Sequence, residues 1–256
     1  MDLHKAMDMI WEAHQRGVYC PPAMKGKLTM DEAYKAQLGF LERRLKAGER
    51  QAGWKVGLTA ESIRKQVGYH EPIFGFLLAS GNKPSGSSFK VSELIIPCFE
   101  SELCLTVGRT LQGPNVTLAE ARAAISATAP AFELVERRMV FAGDPPLAIA
   151  DNAQQKYFIT GMALSPLPAG LTLRDVWVEV FINGESVASA GGDAVMGDPA
   201  ASVAWLANKL SQFGRSLEAG MRVMSGSFVQ MFPIQSGDRI EARFDPIGTV
   251  TAHFQA

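Results

Sequence analysis

The spacing at which apolar residues recur changes near Trp54, from helical before it to mostly extended after it, and that change limits the folds open to this chain. Before it, Leu3, Met7, Ile10, Trp11 and His14 recur at three- and four-residue intervals, the stripe of an amphipathic helix. Pro21-Pro22 ends that segment. Thr29 and Glu32 then form a capping box, and Ala33, Ala36, Phe40, Leu41 and Leu45 fall on one face of a second helix. Arg43, Arg44 and Lys46 sit near its C-terminus, where cations suit the helix dipole.

After Trp54 most of the chain alternates with a period of two. WKVGL (54–58) reads as a short strand, followed by one or two helical turns over 60–67. The polar stretch GNKPSGSS (81–88) reads as a surface hairpin loop. In 100–108, Glu100, Glu102, Cys104 and Thr106 share one strand face. A second capping box, Thr117 with Glu120, opens a helix expected to run to about Ala127 and stop before Pro130, with a strand over 132–138. Val176–Ile182 and Glu185–Ala190 flank Asn183-Gly184, the strongest short-range hairpin signal. Asp198-Pro199 supplies an N-cap and a first-turn proline for a helix to about Phe213, and strands over 239–244 and 249–254 close the chain. The expected class is α+β: a helical lobe over 1–52 packed on a β-rich body over 53–256, the two forming one compact unit.

Composition excludes several roles. Lys+Arg 25 against Asp+Glu 26 leaves a net charge of -1, without the basic footprint that nucleic acid or an anionic membrane surface calls for. Three cysteines, Cys20, Cys98 and Cys104, make an odd count with no CxxC pair, which points to a reducing, cytoplasmic setting. The first residues carry charges throughout, so no cleavable leader is expected, and no apolar run is long enough to span a bilayer.

The chemistry-bearing residues are few. Glu100 and Glu102 point to the same side of one strand, and two carboxylates so close repel unless a cation lies between them or one stays protonated. With Glu133 from a neighbouring strand they would form an all-oxygen site suited to Mg²⁺ or Mn²⁺; a solvated strand face is the alternative. Lys55 sits inside an apolar strand, either as a snorkelling lysine or as a buried functional cation. Asp151-Asn152, after the apolar run 147–150, reads as a strand-end acid at a turn, or as a cap. Ser225-Gly226-Ser227 could cradle an anion on its backbone N–H groups. Neither His4, His14, His70 nor His253 stands in a recognisable catalytic motif, and G-x-S-x-G, P-loop and G-x-G-x-x-G patterns are absent.

KVGLT (55–59), EPIFG (71–75), Pro97-x-x-Glu-x-Glu102, Pro130-Ala-Phe-Glu133, AIADNA (148–153), AWLANKL (204–210) and SGS (225–227) occur in an order that resembles the hydratase/decarboxylase group, that of 2-hydroxypenta-2,4-dienoate hydratase and 4-oxalocrotonate decarboxylase, within the fumarylacetoacetate hydrolase superfamily. The resemblance runs from about Gly53 to the C-terminus. It implies a mixed β-roll with a helical N-terminal region. It also implies a divalent metal, Mg²⁺ or Mn²⁺, on Glu100, Glu102 and Glu133, with Lys55 and Asp151 as catalytic residues. Leu58, Ile73, Phe74, Lys156, Ser227 and Phe228 would surround the substrate.

The activity it implies is a metal-dependent lyase of aromatic catabolism by meta-cleavage, acting on small 2-oxo or 2-hydroxy-dienoic acids, in a homo-oligomer. The leading reading is hydration of a 2-hydroxy-2,4-dienoate to a 4-hydroxy-2-oxo acid. Alternatives are decarboxylation of a 2-oxo-enedioate such as 4-oxalocrotonate, acylpyruvate-type C–C hydrolysis, and a catalytically silent partner subunit. Two departures bear on the choice. Ile73 stands where hydratases often carry an acid, as in the decarboxylases, and Gln154-Gln155-Lys156 replaces the usual small or serine residues. Lys156 either recognises a second substrate carboxylate or points to solvent.

Overall fold

The computed structural model describes residues 2–139 and 143–256. Helices α1 (Leu3–Arg16) and α2 (Met30–Lys46) form where the apolar stripes place them, and the Thr29–Glu32 capping box is complete. Strands β1 (Gln51–Gly57) and β2 (Ile73–Leu78) flank the short α3 (Glu61–Val67). Then come β3 (Asn82–Pro84), β4 (Ser87–Lys90), β5 (Pro97–Val107), α4 (Leu118–Ala124) and β6 (Ile125–Glu136). After α5 (Pro145–Ala150) follow β7 (Gln155–Thr160) and the hairpin β8 (Trp177–Ile182) with β9 (Glu185–Gly191). The chain ends with α6 (Pro199–Ser211), β10 (Arg222–Met224), β11 (Phe232–Pro233), β12 (Arg239–Asp245) and β13 (Gly248–Gln255).

These strands make two sheets. An 8-stranded mixed sheet runs β2-β1-β10-β5-β6-β7-β3, with β11 beside β5, and a 5-stranded sheet runs β4-β13-β12-β8-β9. The large sheet curls until the free edge of β2 meets the segment before β7. Asn152 closes the seam: its Oδ1 accepts from Phe76 N–H at 2.7 Å and its Nδ2 donates to Phe76 O at 3.0 Å. One side chain thus supplies what a neighbouring strand would. Asn152, Ala153 and Gln154 all have left-handed φ (56°, 48° and 64°), costly for residues with a Cβ and sustained here by the contacts they make.

The two faces of the curled sheet differ. Outward-facing Trp54, Phe74, Phe99, Phe132 and Leu134 join one continuous core with α1, α2, α6 and the second sheet. The helical lobe is part of that core: Tyr34 stacks on Phe74 at 4.5 Å, and buried Gln37 Nε2 donates to Phe74 O and Ile149 O. The inner face carries a small separate cluster, Leu77, Cys104, Ala129, Ala131, Phe158 and Met224. Among the described residues no helix is long and apolar enough to cross a membrane.

Three local expectations are corrected. The 81–88 stretch is no hairpin: β3 pairs with β7 in one sheet and β4 with β13 in the other, both parallel, so it carries the chain between sheets. Helix α4 ends at Ala124, and Pro130 lies inside β6 opposite Leu103. Leu103 turns both its backbone groups to Ser225, so the missing proline N–H costs that pair nothing. The 147–150 run is helical, not a strand, because Asp144-Pro145 caps it as Asp198-Pro199 caps α6.

Candidate metal centre

Period-two geometry on β5 and β6 builds the site. Glu100 stands directly opposite Glu133 in the antiparallel register, and Glu102 lies two residues along on the same face. Their carboxylates offer one oxygen each within 4.8 Å of one another. Across the sheet, Lys55 pairs with Met224, which pairs with Cys104 on the glutamates' face. Its Nζ reaches to 3.4 Å from Glu133 Oε1, and both side chains are almost fully enclosed.

Three carboxylates and one ammonium leave two negative charges in excess when all are ionised. Burial raises Glu133 from 4.5 to about 7, the Lys55 charge working against the rise. Burial, with the other two carboxylates, pushes Glu102 well above the usual range, and burial raises Glu100. For Lys55 burial works against the charged form, but the three carboxylates outweigh it and hold the ammonium. One divalent cation would discharge the excess. Glu102 Oε1 and both Glu133 oxygens are buried without a hydrogen-bond partner, so acceptor capacity is directed at the space between them. An all-oxygen donor set fits a hard cation such as Mg²⁺ or Mn²⁺.

Neighbours fix this geometry. Gly226 N–H donates to Glu102 Oε2 at 2.8 Å, so one N–H of the Ser225-Gly226-Ser227 turn is taken by the protein's own carboxyl group. Gly226 has φ +100°, and a Cβ there would lie 2.3 Å from Thr59 Cγ2. Ile73 stands beside the lysine: a Cβ at Gly57 would be 3.3 Å from both Lys55 Nζ and Ile73 Cγ1. Cys104, on the same face, is an inert thiol, pushed up to about 12 chiefly by burial.

Of the other expected site residues, Phe74 and Phe228 point into the outer core. Phe74 alternates with Ile73 and faces the outer core against Tyr34 and Trp54, not the glutamates. Phe228 packs edge-on against Phe244 of the second sheet at 5.4 Å. Ser227 is half-buried over Ser101 O, and Leu58 is half-buried with φ +55°. Lys156 pairs with Glu136 at 3.3 Å.

Asp151 belongs to a second buried charge cluster. Arg138 Nε donates to its Oδ2 at 2.7 Å and His14 Nε2–H to its Oδ1 at 2.6 Å, while Arg138 Nη1 reaches Glu136 at 2.8 Å. Burial disfavours its charge, but Arg138 and His14 more than compensate and hold its carboxyl below the usual value. This carboxylate, locked by two donors, ties α1 to the body. His14, Glu136 and Arg138 were not signalled by the sequence. They are brought to Asp151 from separate elements, and His14 is 137 positions away.

A family profile described as Fumarylacetoacetate (FAA) hydrolase C-terminal matches residues 83–255. The chain belongs to the fumarylacetoacetate hydrolase family. Within it, the chain is 36% identical over 234 residues to a 2-hydroxyhexa-2,4-dienoate hydratase of Comamonas testosteroni, covering 89% of this chain and 87% of that one. It is 35% identical to a 4-oxalocrotonate decarboxylase of Pseudomonas sp. strain CF600, covering 89% and 86%. The solved 4-oxalocrotonate decarboxylase of Pseudomonas putida G7, complexed with magnesium and adipate, superposes with a TM-score of 0.93 at 32% identity over 98% of this chain and 97% of that one. The family's curled sheet with a helical N-terminal region is therefore the fold of this chain.

Proposed function

We propose that this chain is a metal-dependent lyase acting on small 2-oxo or 2-hydroxy-dienoic acids, with Glu100, Glu102 and Glu133 holding Mg²⁺ or Mn²⁺. The observation that carries the reading is the cluster itself: three carboxylates on one sheet face, two of them fully buried, with orphaned oxygens and a buried lysine at 3.4 Å. Relatives named as hydratases and decarboxylases support the substrate class. A divalent cation bound there supplies Lewis-acid charge, which favours the enolate form of a 2-oxo acid.

The chain's own residues do the rest. Lys55 stays an ammonium at neutral pH and offers a fixed positive charge, strong in a closed site, to the substrate carboxylate. Gly226 holds Glu102 by one oxygen and leaves the other free for the cation. Ile73 places an apolar wall against Lys55 and excludes water from that side. Asp151, through His14 and Arg138, keeps the helical lobe seated and so acts as a positioning residue.

Hydration of a 2-hydroxy-2,4-dienoate is the leading activity. A second reading, decarboxylation of a 2-oxo-enedioate, is favoured by Ile73: hydration needs a group to direct water, loss of CO₂ does not, and on the Gly57 side of Lys55 position 73 offers only an apolar side chain. Protein loaded with Mg²⁺ or Mn²⁺ would be offered 2-hydroxypenta-2,4-dienoate and 4-oxalocrotonate in turn. Loss of dienol absorbance without CO₂ identifies the hydratase, and CO₂ release the decarboxylase. Failure on both substrates overturns the reading.

A further inference from the structure

On the opposite side of the curled sheet from the glutamates lies a cavity of about 300 Å³ between α1, α2, the end of β2 and the start of β7. Phe76 fixes the side: it is the strand neighbour of Gly75, which pairs with Lys55, so its ring points away from the lysine. Phe40, Phe76 and Tyr157 give the cavity flat apolar walls, and Ser80, Lys83 and Gln155 line it with polar groups.

Charges around the cavity are matched except at one point. Arg44 is answered by Glu49 at 2.9 Å, Lys156 by Glu136 at 3.3 Å and His14 by Asp151 at 2.6 Å. Among the described residues Lys83 has no carboxylate partner, and its ammonium lies 5.1 Å over the Tyr157 ring. Gln155 is 7% exposed, and its Nε2 is buried without a hydrogen-bond partner. Native structures rarely leave a buried amide donor unpaired, because it has lost its water and gained nothing. One unmatched cation and two unmatched donors, Gln155 Nε2 and Arg44 Nε, between aromatic faces, describe the complement of a flat monoanion.

We propose that this cavity binds a small organic monocarboxylate with a flat, conjugated body, its carboxylate on Lys83 and Gln155 and its body between Phe40, Phe76 and Tyr157. Gln155 and Lys156, two of the three residues that depart from the family pattern, thus line a site apart from the metal centre, and the inference stands whether or not the lyase reading holds. An aromatic acid and a dienoic acid share this chemistry, so both are used as probes.

The test is calorimetric titration of the whole chain, with and without Mg²⁺, using benzoate, 2,4-hexadienoate and benzyl alcohol. Benzoate, hexadienoate or both should bind at or below ~1 mM, and benzyl alcohol at least about tenfold more weakly. Which acid binds better says whether the natural ligand is aromatic or dienoic. Lys83→Met and Gln155→Leu should each weaken binding about tenfold or more, and Lys83→Arg should restore it. Glu102→Gln should leave it unchanged. The proposal is overturned if neither acid binds, if Lys83→Met binds as wild type does, or if Glu102→Gln or removal of Mg²⁺ abolishes binding. The last result would place the ligand at the glutamates.

Discussion

Removing the divalent cation should make the folded protein lose stability as the pH rises, and the glutamate cluster sets the size of the loss. Glu133 is raised from 4.5 to about 7, by burial against the opposing Lys55 charge. A carboxyl that holds its proton more tightly when folded contributes stability below pH 4.5, and that contribution is lost as the pH climbs through about 7. For Glu133 alone the loss is roughly 3 kcal/mol, at about 1.4 kcal/mol per pH unit. Glu100 and Glu102, raised chiefly by burial, act with the same sign. Mg²⁺ binds only the ionised cluster, and at a hundredfold excess over its dissociation constant it returns about 2.7 kcal/mol. In a chain of this size that is about 5–10 °C in Tm. His14 has the opposite slope: burial, then Arg138, lower it from 6.5, so its contribution is lost as the pH falls. It touches Asp151 rather than the glutamates, so it cancels when curves with and without Mg²⁺ are subtracted. The assay is a set of thermal melts from about pH 5 to about pH 8 in EDTA and in saturating Mg²⁺. The Mg²⁺ increment should be small at the acid end and reach several degrees at the alkaline end. A constant increment, or one that survives in Glu102→Gln, would refute the reasoning.

Three further outcomes are expected. Lys55→Met should lower turnover by about a hundredfold or more, as removal of one preorganised charge does, while Mn²⁺ still binds; steady-state kinetics beside metal titration checks this. Arg138→Met should destabilise the fold by about 3–5 kcal/mol in urea melts, because it removes the guanidinium shared by two buried carboxylates and leaves Asp151 only His14 and Glu136 only Lys156, whereas Lys156→Met, which leaves Glu136 its Arg138 partner, should cost about 1 kcal/mol or less. Gly226→Ala should weaken Mg²⁺ binding more than it destabilises the fold, since its Cβ meets Thr59 and displaces the N–H that holds Glu102; calorimetry and melts on the same sample compare the two.

What the sequence made legible was local. Capping boxes at Thr29 and Thr117, the Asn183-Gly184 turn and the Asp198-Pro199 start depend on residues a few positions apart, and each forms as expected. The E-x-E pair was legible for the same reason, because alternation alone puts Glu100 and Glu102 on one face, and Glu133 follows once β6 pairs with β5. Phe74 was misplaced by strand parity: it and Ile73 cannot face the same way, and only the register of β2 against Lys55 says which faces inward. The Asp151 environment was hidden more deeply. Its partners come from α1 and the segment at the end of β6, and the loop carrying it runs through three left-handed residues, of which only Asn152 is of a type that favours that conformation. The second cavity was equally out of reach, since Lys83 comes to the strand of Gln155 only through the pairing of β3 with β7, and Phe76 joins them only when the seam closes.

The central claim, that Glu100, Glu102 and Glu133 together hold one divalent cation, is tested most directly by counting Mn²⁺ bound per chain by electron paramagnetic resonance. The account predicts one tight Mn²⁺ in the wild-type protein and its loss, or weakening by about a hundredfold or more, in Glu102→Gln with the fold retained. Wild-type protein that binds no Mn²⁺, or a Glu102→Gln variant that binds it undiminished, would contradict the account.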